Sequence, residues 1–239
     1  VTGVVTNLVE DGVKSFWNKV KKYFKDEEIK EGIDLGISYE KYLKQTRQKY
    51  GMIKTILYNK IPQPLLSFYV CAELLYNNDI IDTELVTNVT EIGHKLILTG
   101  TGGLGKSTML KYFFLNAIES TEYVPVMIEL RSLNSQCGGD LSIKKAIYKA
   151  LDDNGFSLEE EYFEYSLNQG GYLILLDGYD ELNRENEAII GESIKSFADK
   201  YCNNHFILSS RPKDEFISWN DFVELQSQPL NKEQAITLI

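Results

Sequence analysis

The chain has 239 residues, a formal charge of −10 and 43% hydrophobic residues: enough for one sizeable core with or without a small appendage, and too acidic for broad, sequence-independent binding to nucleic-acid phosphates. Cys71, Cys137 and Cys202 lie far apart with no CxxC spacing, which argues against a disulfide framework or a zinc site and for a reducing compartment in which they are small buried hydrophobes. The longest apolar-leaning stretch, residues 65–76, is too short to span a bilayer, so the chain reads as soluble and cytoplasmic, without a membrane partner.

Residues 13–25 place Val13, Phe16, Trp17, Val20 and Phe24 at helical spacing with lysines around the rest of the wheel. This predicts a basic amphipathic helix, read as a solvated lysine face over a packed stripe, with a membrane-surface or anion-binding role as the sharper alternative. Ser38 suits the N-cap of a second helix, whose Tyr39, Tyr42 and Leu43 form a stripe and which Gly51 ends. Residues 52–58 and 65–71, rich in Ile, Leu, Tyr and Phe, read as short extended segments joined across Pro62 and Pro64. The polar stretch 77–90 marks the predicted boundary between an N-terminal region, 1–90, mostly helical, and a core over 91–239.

From His94 the pattern changes to apolar strands at KLILTG, VPVMIEL, YLILLD, FILSS and FVEL, with helices between them over 109–118, 141–151, 158–167 and 185–201. Strands alternating with helices predict an α/β fold whose parallel sheet is covered on both faces.

The first of these strands runs into Gly100-Thr101-Gly102-Gly103-Leu104-Gly105-Lys106-Ser107, the pattern G-x-x-x-x-G-K-[ST], and a helix follows. Glycines let successive backbone N–H groups turn inward at the positive end of that helix, which makes a concave anion site. Lys106 is expected to reach the β- and γ-phosphates and Ser107 to offer its hydroxyl to Mg2+. Thr108 either bonds the α-phosphate or caps its own helix.

The strand in GYLILLDGYDEL ends in three carboxylates, Asp177, Asp180 and Glu181, at the sheet edge where ligands of parallel sheets collect. Asp177 is the natural partner of Mg2+, through water, whereas Asp180 and Glu181 suit orienting or deprotonating an attacking water, or merely capping the next helix. A third segment, HFILSSRP, delivers Arg211 to a strand tip before Pro212 halts regular structure, and an arginine there can contact the γ-phosphate and report its loss. His94 and His205 both precede apolar strands and read as packing residues, and no Ser-His-Asp or Cys-His arrangement is evident.

Together GTGGLGKST, VPVMIELRSL, LILLDGYDEL and FILSSRP resemble the NACHT (STAND) class of signal-transduction P-loop NTPases, from about residue 94 onward. The resemblance implies that Lys106, Ser107, Asp177, Asp180, Glu181 and Arg211 take the nucleotide, magnesium, hydrolysis and sensing positions. Such a core is expected to have five parallel strands in the order 5-1-4-3-2, with the Arg211 strand beside the phosphate-loop strand. QPLNKEQAITLI resembles the segment leading into the family's helical and winged-helix domains, which together with any sensor repeats lie beyond it. More faintly, YEKYLKQTRQKY, MIKTILYNK and PQPLLSFYV resemble the region before the core in bacterial NACHT proteins that defend against bacteriophage.

The implied function is an ATP-binding, slowly hydrolysing switch that uses ATP/ADP and Mg2+ and self-associates in the ATP state, with adenine contacted by backbone of 85–94. A scaffold with a structural, non-hydrolysed nucleotide is the alternative from another class. A GTPase is a third, although Asn231-Lys232-Glu233-Gln234 lacks the aspartate of N-K-x-D. The start at Val1 without Met and the apolar-periodic run 234–239 at the other end lead us to expect a piece of something longer.

Overall fold

The computed structural model describes residues 29–54, 61–135 and 141–237, with side chains between residues 39 and 236. The predicted helix at 13–25 and Cys137 lie outside the described residues.

Helix α1 (Ile29–Gly51) is longer than the pattern suggests: it begins nine residues before Ser38, which therefore sits inside the helix rather than capping it, and Gly51 ends it. Strands β1 (Met52–Ile53) and β2 (Gln63–Pro64) form a small antiparallel pair. The expected extended segment at 65–71 instead opens as a 3-10 turn over Leu65–Ser67, entered from Pro64 at φ −61°, a value that suits a helical start as well as a strand. A hairpin follows, β3 (Leu74–Tyr76) and β4 (Asp79–Ile81), turned by Asn77 and Asn78 at φ 50° and 71°, the positive values a two-residue primed turn needs. Helix α2 (Val86–Thr90) leads into the core.

The core alternates β5 (Lys95–Thr99), α3 (Lys106–Ser120), β6 (Val124–Glu129), α4 (Ile143–Asp153), α5 (Glu160–Gln169), β7 (Tyr172–Asp177), α6 (Arg184–Lys200), β8 (His205–Ser210) and β9 (Val223–Ser227). Short helix α7 (Lys232–Thr237) comes last; Asn231 and Gln234 cap it reciprocally, each side-chain oxygen accepting the other's backbone N–H, at 2.9 and 2.8 Å. The N-K-E-Q segment is thus a helix start.

The sheet departs from the expected five-stranded one. It has seven strands in the order β4-β3-β9-β5-β8-β7-β6, because the β3–β4 hairpin adds antiparallel to β9 through Leu74↔Ser227 and Leu75↔Gln226. The five parallel strands within it run β9-β5-β8-β7-β6, which places the Arg211-bearing strand beside the phosphate-loop strand in register from Lys95↔Phe206 to Thr99↔Ser210.

Strand interiors are apolar on both sides because both faces are covered. Ser209 of β8 points toward the start of α3, while Phe206, three residues earlier and so on the opposite face, meets Phe197 of α6 edge-on. Helix α3 contributes Leu110, Phe113, Phe114 and Ala117, all fully buried. Each buried Leu or Phe is worth about 1.5–3 kcal/mol of apolar transfer.

Strand β6 is a sheet edge, and α1 covers it: Tyr42 Oη donates to Pro125 O at 2.6 Å and Tyr50 Oη to Met127 O at 3.5 Å, while Arg47 pairs with Glu119 of α3 at 2.9 Å. The hydroxyls occupy carbonyls that would otherwise invite another strand. Beneath the sheet Asn204, with no exposure, ties three elements: its Nδ2 donates to Leu167 O and Tyr201 O at 2.7 and 2.9 Å, and Tyr172 N donates to its Oδ1 at 3.0 Å. His94 and His205 stack on each other with ring centres 4.2 Å apart. Of the cysteines among the described residues, Cys71 is half-buried and Cys202 is exposed, against the expectation for the latter. No described helix is long and apolar enough to cross a membrane.

Candidate nucleotide-binding site

All five parallel strands end at one edge, at Thr99, Glu129, Asp177, Ser210 and Ser227. The loop 100–105 joins β5 to α3 there, so parallel order alone brings the phosphate loop, the acidic strand end and the arginine together. A cleft of about 330 Å³ lies among them, lined by Lys106, Ser107, Asp177, Asp180, Glu181 and Arg211 with the loop glycines 102, 103 and 105. Thr101 is exposed on the loop, Leu104 turns back to pack near Gly100, and Thr108 is half-buried in the first turn of α3.

Gly105 precedes α3 and brings no capping side chain, so the helix presents its positive end to the cleft. Lys106 Nζ donates to Gly100 O at 2.6 Å and to Thr101 O at 3.0 Å, which holds the ammonium over the loop backbone. Burial lowers its pKa below the ordinary lysine value, and the Arg211 charge adds to this, while Asp180 and Asp177 pull the other way. A group so placed gains most from an anion.

Asp177 ends β7. Its Oδ1 accepts from Ser107 Oγ at 2.9 Å and from Ser209 Oγ at 2.6 Å, and Ser209 Oγ in turn accepts from Gly178 N at 2.9 Å. Gly178 has φ +77°, a left-handed backbone that a side chain would strain and that lets the chain turn sharply after the strand.

Asp180 faces Arg211 with both oxygens: Oδ1 accepts from the Arg211 backbone N at 3.0 Å, and Oδ2 lies 3.1 Å from Arg211 Nε. The guanidinium passes so close to the loop that a Cβ on Gly102 would sit 3.4 Å from Nη2, so Gly102 leaves room for the arginine. Glu181, about half exposed, has Arg131 at 3.7 Å from its carboxylate.

The loop carrying these acids is braced by residues that sequence reasoning missed. Asn134 Nδ2 donates to Glu181 O and Asn183 N to Asn134 Oδ1, both at 2.8 Å. Tyr179, buried, donates to Glu187 O and packs against Phe216 and Trp219, which follow Arg211 in the chain. No motif flags Asn134; for Tyr179, an aromatic ring between Gly178 and Asp180 in an otherwise polar turn was the available signal.

The cleft's charged groups are two cations and three carboxylates, so a metal that offsets the carboxylates would strengthen polyphosphate binding there. Ser107 Oγ and Asp177 Oδ1, hard oxygens 2.9 Å apart beside the phosphate loop, fit Mg2+. Among the described residues no group of three or more His, Cys, Asp or Glu could hold a metal, so such an ion would draw its remaining ligands from phosphate and water.

A family model described as NACHT domain matches residues 94–238. The chain belongs to the NACHT family. It is therefore a P-loop NTPase-type nucleotide-binding protein, and the match begins at the residue that precedes β5 and spans every motif of the cleft. No curated protein matches this NACHT chain.

Proposed function

We propose that this NACHT core is a regulatory ATPase switch in which Lys106, the loop amides and Thr108 bind the phosphates, Ser107 and Asp177 hold Mg2+, and Arg211 contacts the γ-phosphate. The observation that carries it is the convergence of Lys106, Asp177 and Arg211, from three different strand ends, on one cleft. When bound, Mg2+ would screen phosphate charge from the carboxylates and favour attack on the γ-phosphoryl group.

Asp180 and Glu181 then divide the remaining work. Asp180 is engaged at both oxygens by Arg211, so it acts as a positioning residue for the sensor arginine. The Glu181 carboxylate is half exposed at the cleft, with Arg131 3.7 Å away and beyond hydrogen-bond distance, and it orients and accepts a proton from the attacking water. Loss of the γ-phosphate releases Arg211, and the Tyr179–Phe216–Trp219 contact passes that change to the segment after β8.

Preference for ATP over GTP rests on the missing aspartate in Asn231-Lys232-Glu233-Gln234, the nearest approach to N-K-x-D. Self-association of the ATP state, a cytoplasmic setting, and a part in bacterial defence against bacteriophage rest on family resemblance. Phosphate release from Mg-ATP tests the reading: wild type turns over slowly and Glu181→Gln falls to background. Equal background rates in both would instead favour a scaffold with a structural nucleotide.

A further inference from the structure

Ser209 lies two residues before Arg211 in HFILSSRP, and its hydroxyl sits on the cleft wall against Asp177. It is 1% exposed and lies on β8 in the row beside Asp177, one step beyond the register pair Leu176↔Leu208, so the two side chains share a face. A serine hydroxyl has one proton to give. Gly178 N donates to Ser209 Oγ at 2.9 Å, and the proton of that hydroxyl goes to Asp177 Oδ1 at 2.6 Å.

The two hydroxyls on Asp177 Oδ1 are not equivalent. Ser107 is exposed at the start of α3 and can turn its oxygen toward a cation, giving up its bond to the carboxylate. Ser209 borders the same cleft but is 1% exposed, and its oxygen already accepts from the Gly178 amide, so its proton stays on Asp177. We infer that Ser209 is the positioning residue for Asp177, holding the carboxylate in one orientation while Ser107 exchanges it for a divalent cation. This rests on the nucleotide reading above and adds to it a buried anchor for the metal-facing acid. Hydrogen bonds to charged groups are about twice as strong as neutral ones, so its loss is felt as a loosened acid.

The test titrates MgCl2 into the protein with a fluorescent ATP analogue, for wild type, Ser209→Ala, Ser209→Cys and Ser209→Thr, each checked for a native melting transition. We expect Ser209→Ala to bind the analogue without Mg2+ within about twofold of wild type, while the Mg2+ concentration for half-maximal enhancement rises about tenfold or more. Ser209→Thr, which keeps the hydroxyl, returns to within about threefold of wild type, and Ser209→Cys, a weak donor of similar size, lies between. The cysteine variant carries the test if alanine prevents folding. A Mg2+ dependence unchanged in the alanine or cysteine variant overturns the inference and leaves Ser209 a structural partner of Gly178. Absence of Mg2+-dependent binding in wild type itself would instead remove the nucleotide reading.

Discussion

Replacing Asp180 with asparagine keeps an oxygen to accept from the Arg211 amide but removes the partner of the guanidinium, and so separates two roles for this acid. The stability cost is small. Arg211 is 67% and Asp180 19% exposed, and an ion pair this open to solvent contributes about 0.2–1 kcal/mol, a shift of roughly 2–4 °C at most in a chain of this size. The functional cost is larger, because a released arginine regains part of about 2 kcal/mol of rotamer freedom that γ-phosphate binding must then remove. Asp180→Asn is therefore expected to weaken Mg-ATP binding about 5- to 30-fold with Mg-ADP affinity unchanged, measured by calorimetry. Arg211→Ala should lose the same preference. If Asp180→Asn binds both nucleotides as wild type does but releases no phosphate, while Glu181→Gln turns over normally, Asp180 is the base and the positioning argument is wrong.

Two further outcomes concern the frame that holds the site. Asn204→Ala strands the Tyr172 amide and two carbonyls in the interior and should cost about 3 kcal/mol, seen as a fall in melting temperature of roughly 6–12 °C; a change under 2 °C would contradict the role given to Asn204. His205 is held down to about 4 by burial first and by the stacked His94 second. Because the unfolded chain binds this proton more readily, stability is fully present above the ordinary histidine value and is lost as pH falls from about 6.5 to 4, by at most ~3 kcal/mol. His205→Phe should flatten the melting temperature over that window relative to wild type, and parallel curves for the two proteins would refute the assignment.

What was legible in the sequence was what depends on local chemistry. The G-x-x-x-x-G-K-[ST] loop, the apolar run ending at Asp177 and the strand delivering Arg211 each carry their signal within ten residues, and parallel topology brings them together. Helix α1 was underestimated because Gly32 and Gly36 are poor helix formers, whereas the Tyr39, Tyr42 and Leu43 stripe that signals a helix in the sequence follows Ser38. The β3–β4 hairpin was missed because three-residue strands show no usable alternation and are set by pairing with β9. Ser209 and Asn134 could not be found from sequence: a serine in a strand declares a hydroxyl, and only the β7–β8 register decides that it meets Asp177.

The central claim is that one anion site, built on the loop 100–105 and completed by Lys106, binds the phosphates of a nucleotide. Calorimetric titration of Mg-ATP into wild type and Lys106→Ala tests it most directly. We predict saturable one-to-one binding by the wild type, weakened at least tenfold in Lys106→Ala with the fold intact. No heat of binding in wild type, or equal affinity in the two proteins, would contradict the account.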